Sequence, residues 1–247
     1  MKKNTLDTFI KKYSLNGTIE AVKLIVDSKQ TLLSTNTTTE EKNVLIDVKY
    51  NKFDAITTDC EFGIHNTSKL KSMLGVLGED VTIELNKKTD GKITSVVFND
   101  TSTDVQFVTA DLSVIPDAPK LKKLPPFNAE IELSADFITK FAKAKNSLSD
   151  VSTYTLMMNK KSVLEMIIGY SSLNSNRIKL AVKTLNGLDK VSKVLNFNAD
   201  YLKEILSANS DCDSAILKVS DAGLSTVSFS NNDIDSTYYM VEIKSVD

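Results

Sequence analysis

The sequence predicts an α+β protein made of two similar domains joined by a proline-rich connector. Each half of the 247-residue chain shows the order helix, three strands, helix, three strands. All four prolines fall within residues 116–126, near the midpoint, and this density excludes a helix or a central strand there. We therefore expect an N-terminal domain over 1–115, an extended connector over 116–126 and a C-terminal domain over 127–247.

The first half begins with an amphipathic helix. Apolar residues from Leu6 to Tyr13 recur at the spacing of one helical face, and Asn16-Gly17 is typical of a helix end. Three strand-like runs follow, at residues 18–26, 31–35 and 44–50.

A second helix comes next, with apolar positions over 70–77 and Gly78 at its expected end. Three consecutive residues are suitable N-caps for it: Asn66, Thr67 and Ser68. Strands are predicted at 81–86, 93–99 and 105–110, and Asp90-Gly91 is typical of the turn between the first two.

The second half repeats this order after an additional strand at 127–133. Ser134 is expected to cap a third helix and Asn198 a fourth. The strands of this half are predicted at 153–159, 162–170, 177–184, 215–220, 224–230 and 237–243.

The two halves also match residue by residue. Phe9-Ile10 aligns with Phe137-Ile138, and Leu70 aligns with Leu202, at an offset that stays near about 130 residues. Several weak matches in the same order indicate a duplicated domain rather than chance similarity.

Composition excludes several classes of function. The net charge of −2 argues against a protein that binds nucleic acid through bulk charge, and a single arginine, Arg177, argues against base readout through arginine forks. Cys60 and Cys212 are expected to be reduced thiols of a cytosolic protein, and the single His65 excludes a multi-histidine metal site. No glycine-rich phosphate loop, nucleophile elbow, signal peptide or membrane-spanning run is present, so we expect no enzyme activity, cofactor or metal.

Lysines, in contrast, lie on the predicted outer faces of the helices. At 100° per residue they fall opposite the apolar positions in three of the four helices, whereas the fourth also carries Asp200 and Glu204. Any solvated helix carries such lysines, so the pattern gains meaning only if the helices share one side of the molecule. The candidate lysines are Lys11, Lys12, Lys69, Lys71, Lys140, Lys143, Lys145 and Lys203.

Together these features resemble the sliding clamps of DNA replication, and the resemblance covers essentially the whole chain. Residues 9–13, 105–116 and 134–141 look like the corresponding segments of the polymerase-processivity clamps of T-even-type bacteriophages. Related rings are eukaryotic proliferating cell nuclear antigen and the bacterial β clamp.

The resemblance implies a clamp fold and a homotrimeric ring. Helices would line a central hole that encircles duplex DNA without reading its sequence, and the eight candidate lysines would face that DNA. An ATP-driven clamp loader would open the ring, and the ring would tether the replicative DNA polymerase. The expected location is the cytoplasm, that of the host if the protein is viral.

The resemblance also implies two further surfaces. Edge strands would pair between subunits, with interface residues Gln106, Val108, Ala110, Ile178, Leu180 and Val182. Partner tails would dock near apolar residues of the connector and the last strand, with pocket residues Ile115, Leu121, Leu124, Tyr239 and Val241. An equally good alternative is that these apolar residues pin the connector to the body of the protein.

Two other classes remain open from the sequence. A phage tail or capsid β-protein would account for the strands but not for lysines at matched helical positions in both halves. A monomeric processivity factor with the same duplicated fold would differ from a ring only in its oligomeric state.

Overall fold

A computed structural model of the chain describes residues 1–119, 121, 123–171, 175–189, 191–231 and 233–243. The chain forms two compact units: Met1–Pro119 with Asn232–Ser236, and Lys120–Asn231 with Thr237–Asp247. The change from one unit to the other thus falls inside the predicted connector, of which Lys120 and Lys122 lie outside the described residues. The described connector residues form neither helix nor strand.

The first unit contains two helices and seven strands. They are α1 (Lys3–Ser14), β1 (Val22–Asp27), β2 (Leu32–Thr38), β3 (Val44–Asn51), β4 (Cys60–Ile64), α2 (Thr67–Leu74), β5 (Thr82–Lys87), β6 (Ile93–Asn99) and β7 (Asp104–Val108).

The second unit repeats this plan with an additional strand at its start. Its elements are β8 (Ala129–Ser134), α3 (Ala135–Ser147), β9 (Thr153–Met158), β10 (Leu164–Ile168), β11 (Ile178–Ala181), β12 (Lys183–Asp189), β13 (Leu195–Asn198), α4 (Ala199–Ala208), β14 (Ser214–Ser220), β15 (Leu224–Ser230) and β16 (Ile234–Val241), whose first three residues belong to the first unit.

The spacing of the elements supports the predicted repeat. α3 starts at residue 135 and α1 at residue 3, while α4 starts at 199 and α2 at 67, so both pairs are separated by 132 residues. The strands that follow the second helix of each unit, β5 and β14, start 132 residues apart as well, at 82 and 214. Equivalent positions of α2 and α4, and of β5 and β14, can therefore be compared by adding 132. For α1 and α3 the aligned residues Phe9 and Phe137 are 128 positions apart.

All described strand pairs are antiparallel. In the first unit the strands follow the order β4-β1-β2-β3 in one sheet and β5-β6-β7 in another. In the second unit the orders are β12-β8-β14-β15-β16 and β11-β10-β9-β13. The alternation of apolar and polar residues places one face of strands such as β2, β8 and β16 against a core. Strand β5, in contrast, has no buried residue.

Predicted N-caps are present at three of the four helices. Asn66 accepts a hydrogen bond from the amide of Lys69 at 2.7 Å, Ser134 accepts one from Phe137 at 3.3 Å, and Asn198 accepts one from Tyr201 at 2.8 Å. Each cap satisfies an amide that the first turn of a helix leaves without a carbonyl partner. The local sequence therefore fixes where α2, α3 and α4 begin.

Several predicted elements differ from those of the structure. Strands β4 and β13, which directly precede α2 and α4, were missed because they are short and lack a clear alternating pattern. The predicted strand 177–184 is divided at Val182 into β11 and β12, which lie in different sheets. Helix α2 ends at Leu74 rather than at Gly78, and Leu77 is buried beyond the helix.

Within the described part of the chain, no helix is long and apolar enough to cross a membrane. The same residues contain no cluster of three or more His, Cys, Asp or Glu side chains suited to a metal ion.

Candidate nucleic-acid interface

Two helix pairs, one in each unit, carry the candidate lysines. Helix α1 packs against α2, and α3 packs against α4. Apolar residues at helical spacing fix which side of each helix is buried: Leu70 and Leu74 of α2 are 2% and 0% exposed, and Phe137 and Phe141 of α3 are 7% and 0% exposed. The remaining faces are the ones available to a ligand.

Helix α2 presents both of its lysines to solvent. Lys69 and Lys71 are exposed, and α2 contains no acidic residue. Its first turn is held by Glu20, whose carboxylate accepts hydrogen bonds from the amide of Ser68 at 2.9 Å and from the Ser68 hydroxyl. This contact could not be predicted from local sequence patterns, because Glu20 and Ser68 are 48 positions apart.

The last turn of α1 differs from its prediction. Lys11 is half-buried, and Lys12 is fully buried together with Tyr13, Ser14 and Leu15. A helical wheel assigns one buried side to a helix, but this turn is enclosed on nearly all sides. The expectation that Lys12 lies on an exposed face is therefore wrong for the chain as it is folded here.

The three lysines of helix α3 differ in exposure and in their ion pairs. Lys143 is exposed, and Lys140 is exposed but forms an i,i+4 ion pair with Asp136 at 2.6 Å. The side chain of Lys145 is only 4% exposed, and its ammonium lies 2.8 Å from Asp200 and donates to the Ser149 carbonyl at 3.1 Å. The expected exposure of Lys145 is wrong, because its ammonium forms a largely buried ion pair that connects α3 to α4.

Helix α4 has little positive charge. Lys203 is half-buried, and the same helix contains Asp200 and Glu204. In the folded chain, the exposed candidate lysines are thus Lys69, Lys71, Lys140 and Lys143.

The two predicted interface strands both lie at sheet edges. Strand β7 is the terminal strand of the sheet β5-β6-β7, and β11 is the terminal strand of β11-β10-β9-β13. Gln106 and Val108 of β7 are exposed, whereas Val105 and Phe107 between them are buried. Strand β7 is shorter than predicted, because Ala110 already pairs with Gly63 of β4.

The direction of the β7 amides follows from two hydrogen bonds. The Thr109 amide donates to the carbonyl of Thr94 in β6 at 3.0 Å, and the Ala110 amide donates to the carbonyl of Gly63 on the other side at 2.9 Å. Because successive amides of a strand point in opposite directions, the amides of Gln106 and Val108 point away from β6. These two amides are suitably oriented to pair with another strand.

The predicted interface residues on β11, and Val182 just after it, are less exposed than those of β7. Ile178 and Val182 are half-buried and Leu180 is 9% exposed, so their side chains face the body of the second unit. Lys179 is exposed and forms an ion pair with Glu165 at 3.0 Å. An interface at this edge would use the main chain of β11 more than these three side chains.

Ile115 does not lie on the surface. It is 4% exposed, and a β-carbon at Gly63 would overlap its Cδ1 atom, which shows how closely the two residues pack. Lys23 forms an ion pair with Asp117 at 2.5 Å two residues further on. The start of the connector is thus pinned to the first unit, and Ile115 is unavailable to a partner in this conformation.

The other predicted pocket residues are accessible. Leu121, Leu124 and Val241 are 46%, 39% and 51% exposed, and Tyr239 is half-buried. All four belong to the second unit. Exposed leucines in a connector are a feature of docking surfaces, although the exposure alone does not identify a partner.

Two carboxylates near the ends of β6 and β7 have strongly lowered pKa values. The amide of Gly78, followed by other donors at Ser102 and Thr103, lowers the pKa of Asp100 to about 2. The Lys92 ammonium and the Ser113 amide and hydroxyl lower the pKa of Asp111 still further. Both carboxylates hold loops in place through these hydrogen bonds.

Comparisons with solved structures identify the fold. The chain superimposes on proliferating cellular nuclear antigen from Entamoeba histolytica with a TM-score of 0.71 and 14% identity, covering 98% of this chain and 96% of that one. It superimposes on A. fulgidus PCNA, solved with the C-terminal region of FEN-1 bound, with a TM-score of 0.76 and 14% identity, covering 100% and 98% of the two chains. The chain therefore has the α+β fold of sliding clamps, with two similar domains.

Sequence-level comparisons add no further relative. No protein-family profile matches the chain. A comparison with curated proteins found no match either.

Proposed function

We propose that this protein is a sliding clamp: a ring that encircles duplex DNA and tethers DNA-processing enzymes to it without catalysing a reaction itself. The observation that carries the proposal is the fold, since two clamps superimpose on the chain over nearly its whole length. The interaction proposed here is between lysine ammonium groups and the phosphates of the DNA backbone, without a cofactor.

The proposed arrangement is a homotrimer with the helices toward the hole. The amides of Gln106 and Val108 would pair with β11 of the next subunit, a head-to-tail contact that closes into a ring by rotation. Lys69, Lys71 and Lys143 would attract the DNA backbone without reading bases, which permits sliding.

The proposed partners are a DNA polymerase, an ATP-driven clamp loader and other enzymes of DNA processing. The A. fulgidus structure holds a C-terminal region of FEN-1, and a comparable tail would bind this chain near Leu121, Leu124, Tyr239 and Val241. The segments at residues 9–13, 105–116 and 134–141 favour a relationship with clamps of T-even-type phages, in which case the protein acts in the cytoplasm of the host.

The absolute mass in solution tests the ring. Light scattering over a concentration series should approach three times the 27.2 kDa of one chain. A monomer at every concentration would contradict the ring and favour a monomeric processivity factor with the same fold.

Tail binding is tested separately. The double variant Leu121→Ser with Leu124→Ser should retain the mass of the wild type but lose affinity for a peptide from a partner's C-terminus. The matched control is Val163→Ser, because Val163 is an equally exposed apolar residue outside the proposed docking site. Unchanged peptide affinity in the double variant would place the docking site elsewhere.

A further inference from the structure

The two helix pairs are equivalent by duplication but unequal in charge. Helices α1 and α2 together contain five lysines and one acidic residue, whereas α3 and α4 contain four lysines and three acidic residues. Helices α2 and α4 can be compared position by position, because their first residues and their aligned leucines, Leu70 and Leu202, are both separated by 132 residues.

The difference in charge between the two helix pairs is largest where the first helix of each pair contacts the second. In the first unit a cleft of about 400 Å³ lies between the end of α1 and α2, and Ser68, Lys71 and Ser72 line it. Among the residues that the structure describes, none of those lining this cleft is acidic. Glu20 lies next to it, and its carboxylate accepts hydrogen bonds from the amide and the hydroxyl of Ser68. The lining also includes Lys71 and Ser72, whose ammonium and hydroxyl can donate to an anion.

The counterpart in the second unit has the opposite character. The positions equivalent to Ser68 and Ser72 are Asp200 and Glu204, both acidic. Lys145, at the end of α3, is buried and bound to Asp200. The one lysine at an equivalent position, Lys203 for Lys71, is half-buried where Lys71 is exposed.

We propose that the two repeats divide the DNA contact unequally, with a backbone phosphate of duplex DNA seated in the α1–α2 cleft beside Lys71 while the α3–α4 counterpart takes none. This inference rests on the proposed clamp function and specifies which part of each subunit holds the duplex. A phosphate is favoured beside an exposed ammonium and a hydroxyl, and it is disfavoured beside two carboxylates whose neighbouring lysine is already paired.

The test compares equivalent lysines. Lys71→Gln and Lys203→Gln remove one positive charge at the same position of the repeat, and glutamine keeps the helix propensity of lysine. Binding of a fluorescent 30-base-pair duplex is followed by anisotropy between about 50 and 200 mM salt, since each lost phosphate contact lowers the slope of log K against log salt by about 0.9. We expect Lys71→Gln to weaken DNA binding about tenfold per lost contact at about 50 mM salt and to reduce the slope of the salt dependence. The DNA affinity of Lys203→Gln should stay within about twofold of that of the wild type.

A second pair of variants changes the cleft without touching a lysine. Ser72→Glu introduces the acid that the second unit has at this position, and Thr139→Glu adds the same charge on an exposed position of α3. Ser72→Glu should weaken binding more than Thr139→Glu, while thermal unfolding of both variants stays near that of the wild type.

The outcomes separate this inference from the clamp function. If Lys71→Gln and Lys203→Gln lose the same DNA affinity, or if Lys203→Gln loses more, the unequal division is wrong. The proposed clamp function would be unaffected by that result. A wild-type protein that binds no duplex at about 50 mM salt and does not stimulate processive synthesis would overturn both.

Discussion

The ammonium of Lys145 lies 2.8 Å from Oδ1 of Asp200 and joins the last turn of α3 to the first turn of α4. The lysine is buried, whereas the side chain of Asp200 is 57% exposed. This ion pair thus connects α3 to α4, and it does so with a lysine that the sequence analysis had assigned to the DNA-facing surface. Because only the lysine is buried, the two partners should contribute differently to the free energy of unfolding.

Removing the acid should cost more than removing the lysine. Asp200→Asn leaves a buried ammonium with the Ser149 carbonyl as its remaining described partner, and we expect it to lower the free energy of unfolding by about 2 kcal/mol. Lys145→Met keeps the apolar stem and returns Asp200 to water, so its cost should be smaller. Urea unfolding of the two variants gives the comparison, and a larger loss in Lys145→Met would show that the ion pair is not what stabilises this contact.

Asp100 should make the first unit sensitive to acid. Its folded-state pKa of about 2 lies below its ordinary value of 3.8, so the unfolded chain binds more protons between these pH values. The stabilisation is complete above about pH 4 and is lost as the pH falls towards 2. Asp100→Asn should therefore be less stable at pH 7 and show a weaker dependence on pH in this window.

The control for Asp100 is Asp150→Asn, which removes an exposed carboxylate that accepts no described hydrogen bond. Thermal unfolding at pH 2, 3, 4 and 7 measures all three proteins. If Asp100→Asn follows the wild-type pH profile, the hydrogen bonds from Gly78, Ser102 and Thr103 do not contribute in solution.

The outward amide of Val108 is the next target. Val108→Pro removes this donor without removing a hydrogen bond to β6, because the amide points away from that strand. We expect the variant to fold but to dissociate to monomers at concentrations where the wild type is a trimer, as measured by light scattering. Val108→Thr keeps the amide and should assemble normally, whereas a trimeric Val108→Pro protein would move the interface away from β7.

Local sequence signals predicted much of the fold. The caps at Asn66, Ser134 and Asn198 identify where helices begin, because each interaction spans only three residues. The Asp90-Gly91 turn is also as expected, with Gly91 at a φ of +85° that favours glycine. The duplication adds a second, independent sign of the fold, since a pattern found in one half had to recur in the other.

Features that depend on distant residues could not be predicted in this way. Lys12 and Lys145 occupy polar positions on a helical wheel, yet the wheel contains no information about the neighbouring helix or about Asp200, 55 positions beyond Lys145 in the chain. Ile115 was expected on the surface because it borders a polar connector, whereas Gly63 of β4 leaves the space that buries it. The exposure of Lys69 and Lys71 followed from the pattern of α2 alone, so it could be predicted without knowing the neighbouring elements.

Topological retention on DNA tests the clamp function most directly. The protein is threaded onto linear duplex DNA with biotin at both ends, the ends are closed with streptavidin, and the complex is passed through a sizing column in about 1 M salt, where electrostatic binding is screened. We predict that the protein stays with end-closed DNA and is lost from the same DNA with open ends. Equal loss from both DNAs, under conditions where the protein is trimeric, would contradict a ring that encircles the duplex.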